Sequence, residues 1–414
     1  MDTGAGSYQT RARRTTRHSA RLASGRARSG FSLRRRDAIG VASGRPGTTV
    51  RASMGDVHEP YATFRATPRF GSLDGLRFLA VVPVVFHHST PRPLPGILGK
   101  GPLGVDLFFA ISGFLITTLL LRERESTSTV GIRAFYTRRA LRILPLYYVV
   151  LGLTVLRALT LDPTSPIRAH FFASLPAYAT FTTTWFVDFG VPHAILFAYS
   201  WSLAVEEQFY AFWPWVVRQG RIFPWIGCVV LLAVDLVAER AGSLSEGATL
   251  ALKIASSLRA PLLLGALLAC ALHWRIGYRF LSFVLGRRHA GLVVLLGLAV
   301  ALGTTLVPRL GTQALLVMLV GACVVREDHS LAPLLRLRPV VHVGGVSYGV
   351  YMLHLAAIWV AKKLLGAGAE LASGALVFAI AMPLSVLFAT ASHRGFESKF
   401  LALRRKGYGK SLPS

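Results

Sequence analysis

An arginine and a histidine, Arg77 and His88, stand eleven positions apart in the apolar run SLDGLRFLAVVPVVFHHS. On a helix eleven residues make close to three full turns and roughly 16 Å of rise, so the two share a face, while His87 points about 100° away. A shielded imidazole can take a proton from a hydroxyl or carry a group covalently. A guanidinium on the same face can hold an anion or a developing oxyanion. Asp106 opens the next run, GPLGVDLFFAISGFLITTLLL, at a depth similar to His88. A carboxylate beside an imidazole raises its basicity and fixes its tautomer. The positive end of a helix also favours a carboxylate with no chemistry involved. In FYTRRALRILPLYY, Arg139 and Arg142 lie three apart and share a face. Paired guanidiniums match phosphate oxygens, although either one alone reads as a topology charge.

Two further groups are costly where they stand. YSWSLAVEEQFYAFWPWVV, residues 199–217, carries Glu206 and Glu207 in its middle. Tyr199, Ser202, Glu206, Phe209 and Trp213 fall on one helical face, and Glu207 is turned about 100° from it. A charge within a membrane span tends to face the bundle interior and mark a site, and a structural ion pair, with Arg77 for instance, competes with that reading. In VSYGVYMLHLAAIW, Ser347, Tyr351 and His354 share a face. There the reading of a hydrogen-bonded core histidine is favoured over direct catalysis.

The elements that must position these groups are apolar helices. Of the 414 residues 53% are hydrophobic, and stretches such as 292–308 and 371–392 carry no charge. About 20 apolar residues span a bilayer core, so the chain is an all-α polytopic membrane protein. Ten segments are expected to cross: 74–90, 104–121, 140–161, 199–217, 222–238, 249–273, 290–308, 311–325, 341–365 and 371–392. Residues 162–198 are aromatic but broken by four prolines, and are open between a loop, a re-entrant piece and an extra helix pair.

The net charge of +27 does not read as nucleic-acid binding, because the basic residues punctuate apolar segments. Alternating the ten segments from a cytoplasmic N-terminus puts most arginines inside: Arg122 to Arg142, Arg218 and Arg221, Arg275 to Arg288, Arg326 to Arg338 and the basic C-terminal end. That asymmetry fits cytoplasmic termini, since positive loops stay inside. Gly104, Ser112 and Gly113 permit close helix approach.

Residues 1–69 read as a basic, disordered extension; through residue 53 only Asp2 and Asp37 are acidic. Met54 offers an alternative start, and an organelle transit peptide is the lesser reading. The membrane domain is placed at 70–400, with a short basic tail at 401–414. Cys228, Cys270 and Cys323 lie in apolar runs without metal-ligand spacing or a disulfide framework, and read as buried structural thiols. No Gly-rich phosphate loop, metal motif or strand-borne serine elbow appears, and no internal repeat is visible.

LDGLRFLA…HH, GVDLFFAISGFLIT, FYTRRALRILPLYY, WSLAVEEQFYAFWP and SYGVYMLH occur in this order over residues 70–400. Together they resemble the acyltransferase-3 family of integral-membrane O-acyltransferases. The resemblance implies that Arg77 and His88 are the family's essential Arg-His pair. It also implies that Arg139 and Arg142 are its paired arginines, and Glu206 and Glu207 its double glutamate. Glu397 in SHRGFESKF matches a glutamate after the last helix, in altered surroundings, and receives no role.

The donor implied is acyl-CoA, typically acetyl-CoA. The acceptor implied is a hydroxyl on a cell-envelope glycan, a lipid-linked sugar or a small molecule such as a macrolide. The location implied is a bacterial inner membrane. In this reading His88 is the base or transient acyl carrier, oriented by Asp106 or a glutamate. Arg77 stabilises negative charge, and Arg139 and Arg142 bind the coenzyme phosphates. The competing class is a transporter, since intramembrane His, Glu and Arg also build proton relays.

Overall fold

In hydrocarbon a backbone must satisfy its own N–H and C=O groups, as helices and closed barrels do, and apolar runs of about 20 residues suit the helix. The computed structural model describes residues 59–90, 99–189, 196–240, 249–255, 257–304, 306–366 and 374–407. Among these the regular structure is entirely helical. The first nine helices are α1 (Glu59–Ala66), α2 (Leu73–Ser89), α3 (Leu103–Thr127), α4 (Ile132–Leu159), α5 (Pro166–Ala179), α6 (Thr183–Phe186), α7 (Ser200–Gln219), α8 (Phe223–Arg240) and α9 (Leu250–Ala255). Then come α10 (Ala260–Leu272), α11 (Arg275–Leu285), α12 (Ala290–Gly303), α13 (Arg309–Val325), α14 (Ala332–Leu335), α15 (Arg338–Gly345), α16 (Ser347–Leu365) and α17 (Gly374–Ser392). A π turn, His393–Glu397, leads from α17 into α18 (Ser398–Gly407).

Each of the ten segments expected to cross contains a helix, but only some helices are long and apolar enough to cross a bilayer. Three pass on their own: α3, α4 and the run Gly374–Leu403. Five pass if the bent pairs α10–α11 and α15–α16 each count as one span; their bends are 109° and 80°. The shortfall has local causes. α2 carries Asp74, Arg77 and two histidines within 17 residues. α7 carries two glutamates. The segment expected over 249–273 breaks between α9 and α10, and the one over 341–365 turns at Val346. Residues 162–198, left open by the sequence, form α5 and the short α6.

α3 is the central helix, buried along most of its length. Its approach to α10 is set by reciprocal glycines. A Cβ on Gly113 would stand 1.9 Å from the Leu262 carbonyl oxygen, and one on Gly265 would stand 2.2 Å from that of Ala110. Gly104 meets α2 in the same way, 2.2 Å from the Ala80 oxygen. Small residues thus bring the backbones together where a larger side chain would hold them apart. Ser112, expected beside these glycines as a packing residue, bonds Tyr210 instead, 2.6 Å away.

Part of the expected extension is ordered. α1 packs Phe64 into the core, and Tyr61 donates to the His273 carbonyl. Arg122 of α3 donates to the carbonyls of Phe64 and Thr67. The remainder, residues 1–58, and the tail beyond residue 407 lie outside the described residues, as does Met54. The three cysteines are buried, as expected.

Candidate active site

α2, α3, α4, α7 and α16 line a cavity of about 110 Å³. Its polar wall gathers Arg77 from α2, Arg139 and Arg142 from α4, and Glu206 from α7. All seven residues singled out for the site sit on helices around this one space, and four of them line it. Phe108, Ile111 and Leu115 of α3 supply an apolar wall, and Ser347, Tyr348 and Tyr351 bring in α16.

Each charged group here is held. Asp74, one turn before Arg77, pairs with it at 2.5 Å. Arg77 thus takes its partner from its own helix and not from Glu206. The i, i+3 spacing in LDGLR was the signal for that pair. Arg139 lies over the rings of Phe135 and Tyr210, 5.7 and 5.5 Å from their centroids. Stacking of this kind holds a guanidinium in one plane.

Glu206 accepts from the Tyr210 hydroxyl at 3.3 Å, and Ser112 completes the cluster by bonding Tyr210. The charges of Arg139 and Arg142 both act on Glu206. Glu207 is turned away from the cavity, as its 100° offset required, and feels Arg139. Its buried Oε1 has no hydrogen-bond partner among the described residues.

His88 lies beyond the cavity lining. Its Nδ1 stands 2.9 Å from the Val84 carbonyl oxygen, one turn back on α2. Its ring meets His354 of α16 at 4.9 Å between centroids and His87 at 5.3 Å. Tyr351 links the two regions, because it lines the cavity and its ring lies 5.7 Å from that of His354. The Tyr351 hydroxyl bonds Ser202 at 2.6 Å and donates to the Tyr199 carbonyl at 2.8 Å.

Asp106 is not the group that orients His88. Its hydrogen-bond partner is Gln313 of α13, at 3.3 Å, and the charges acting on it are those of Arg309 and Arg259. The cause is helical phase. Gly104 faces α2, so Asp106, two residues on, is turned about 200° and looks toward α10 and α13. Among the described residues no hydrogen bond or ion pair joins His88 to either glutamate, and its Nδ1 is held by its own helix backbone. Asp74, Ser112 and Tyr210 join the site although the sequence had not marked them as chemistry.

The family model described as an acyltransferase domain matches residues 70–394. The chain belongs to the acyltransferase-3 family. The matched acyltransferase domain runs from just before α2 into the π turn after α17, and so contains every cavity-lining helix. Relatives of this family member are named for acetyl transfer. The peptidoglycan O-acetyltransferase OatA of Listeria monocytogenes is 35% identical over 150 residues, 34% of this chain and 23% of the relative. A putative O-acetyltransferase of Staphylococcus aureus strain COL is 38% identical over 148 residues, 34% of this chain and 24% of the relative. The O-acetyltransferase OatA of Staphylococcus aureus is 34% identical over 157 residues, 36% of this chain and 25% of the relative. The matched stretch therefore spans about a quarter of the length of these curated relatives. No solved structure matches the chain.

Proposed function

We propose that this protein is an integral-membrane O-acyltransferase that moves an acyl group, acetyl in the first instance, from acyl-CoA to a hydroxyl of a cell-envelope glycan or lipid-linked sugar. The observation that carries the proposal is the gathering of Arg77, Arg139, Arg142 and Glu206 around one cavity, with His88 linked to its lining through His354 and Tyr351, in a chain of the acyltransferase-3 family. The names of the bacterial relatives support acetyl as the group and a glycan as the acceptor.

In this reading Arg139 and Arg142 bind the coenzyme phosphates from the cytoplasmic side. Two guanidiniums one turn apart on a helix suit a diphosphate. The cavity has room for the small acyl end of the donor. Arg77, fixed by Asp74, holds negative charge on the donor. His88 removes the proton of the acceptor hydroxyl. Glu206 fixes the arginines and is itself fixed by Tyr210. Asp106, away from His88, serves the packing of α3 against α13. The protein crosses a bacterial inner membrane ten times with both termini in the cytoplasm.

Equilibrium binding of acetyl-CoA to detergent-purified protein tests the docking step. The double variant Arg139→Ala with Arg142→Ala is expected to weaken binding by about tenfold or more, as loss of charge-assisted contacts requires. Unchanged affinity in a folded double variant removes the docking site. Failure of the unaltered protein to bind or consume any acyl thioester, even with envelope extract as acceptor, removes the acyltransferase reading in favour of transport.

A further inference from the structure

His354 has an unusual position for a core histidine. It is 0% exposed. Its Nδ1 faces the carbonyl of Tyr351, one turn back on α16. His88 is held in the same way by Val84 on α2. A carbonyl oxygen only accepts, so in the neutral imidazoles each Nδ1 carries the hydrogen and each Nε2 is left as a bare acceptor. The two rings lie 4.9 Å apart, edge toward face. The Nε2 of His354 is buried and has no hydrogen-bond partner among the described residues.

Buried polar atoms are nearly always paired, and a lone buried acceptor calls for a donor that arrives later. Neutral His88 cannot be that donor while its hydrogen is on Nδ1. It becomes one when a second proton reaches it. The other titratable groups facing His354 are Tyr199 of α7, 5.4 Å between ring centroids, and Tyr351 of its own helix. Both phenols are committed: Tyr199 donates to the Met352 carbonyl and Tyr351 to the Tyr199 carbonyl. His87 also meets the His88 ring, 5.3 Å between centroids.

We propose that His354 is a positioning residue for His88, sharing through its Nε2 the proton that His88 takes up during acyl transfer. The inference rests on the acyltransferase reading above. As the acceptor oxygen bonds to the acyl carbon, its O–H bond breaks and the proton passes to His88. The new N–H of the imidazolium, at Nε2, is shared between the acceptor oxygen and the Nε2 of His354, which partners the orphaned acceptor and holds the ring in place. The C–S bond then breaks, and the leaving thiolate takes the proton back. Ester and free thiol form from hydroxyl and thioester, and both histidines end neutral. The His354 ring is therefore placed to favour the charged form of His88 only while the proton is in transit.

A structural histidine here would need only its bulk and its Nδ1–H bond to Tyr351. His354→Asn keeps a donor near that position and removes the acceptor at Nε2. The expected result is a folded protein with kcat lowered by about 10²-fold, the scale of general acid–base assistance, and a changed pH–rate profile. KM for the thioester is expected to stay within about threefold. Activity within about threefold of the unaltered protein across the pH range overturns the proposal.

A second readout does not depend on turnover. In histidine-labelled protein followed by NMR, with His88 assigned through His88→Gln, His354→Asn is expected to move the His88 titration midpoint by more than about half a pH unit. An unmoved midpoint overturns the pairing. Absence of thioester consumption together with a moved midpoint overturns the reaction and leaves the pair standing, so the two failures are distinguishable.

Discussion

At the scale of single residues, the site depends on partners supplied by the same helix. Arg77 is oriented by Asp74, one turn away, and the pair remains partly open to solvent. Its value is therefore positional more than energetic, since exposed pairs contribute little to stability. Asp74→Asn is expected to leave folding intact and lower kcat/KM by about tenfold, because Arg77 no longer holds one geometry. Steady-state kinetics with Arg77→Lys alongside check this. The lysine variant should fall at least as far, as it keeps the charge and loses the planar fork. Activity unaffected by Asp74→Asn would remove Arg77 from donor positioning.

What was legible at this scale was residue type and face. Arg77 and His88 lie on one helix, though only Arg77 lines the cavity; Arg139 and Arg142 both line it, and Glu207, offset from Glu206, does not. Partner choice was not legible, because it depends on the rotation of neighbouring helices. Asp106 looked like a partner for His88 by depth alone, yet the phase set by Gly104 turns it toward Gln313. His354 read as a core histidine, since nothing in its own helix reveals that its Nε2 is left without a partner.

At the scale of elements, the site is held by how closely α3 approaches α2 and α10. Backbone contact at Gly113 and Gly265 fixes where Ser112 meets Tyr210, and through it Glu206. Gly113→Leu would drive its side chain into the Leu262 carbonyl, and is expected to destabilise the protein by about 3 kcal/mol or more. Thermal unfolding in detergent checks this. Gly297→Ala on α12 is the matched control, because nothing lies within 4 Å of its new Cβ. It is expected to be neutral or to gain up to about 1 kcal/mol from helix propensity. A melting temperature for Gly113→Leu equal to that of the control would show that the seam does not position α3.

Helices were readable from apolar length because lipid leaves no other regular structure for such runs. Their breaks were less readable. The gap between α9 and α10 is followed by Pro261 in the first turn of α10, a start signal that the expected continuous span passed over, and the turn at Val346 follows two glycines that also suit a continuing helix. Tertiary packing decides there: a Cβ on Gly344 would stand 1.8 Å from the Asp74 carbonyl oxygen, which locks the end of α15 against α2.

At the scale of the whole molecule, the account joins ten expected crossings to a cavity entered from the cytoplasm. With Cys228, Cys270 and Cys323 replaced, single cysteines at exposed Thr129 and Thr164 report the sidedness. Thr164→Cys is expected to react with an impermeant maleimide in intact cells. Thr129→Cys is expected to react only after permeabilisation. The opposite pattern would invert the topology and put Arg139 and Arg142 out of reach of a cytoplasmic coenzyme.

The central claim is that His88 performs acyl transfer in this bundle. It is tested most directly by incubating purified, membrane-reconstituted protein and its His88→Ala variant with radiolabelled acetyl-CoA and envelope extract. The account predicts thioester consumption and acceptor labelling by the unaltered protein, and a loss of at least about 10²-fold in a variant that unfolds at the same temperature. Near-normal transfer by His88→Ala would contradict it.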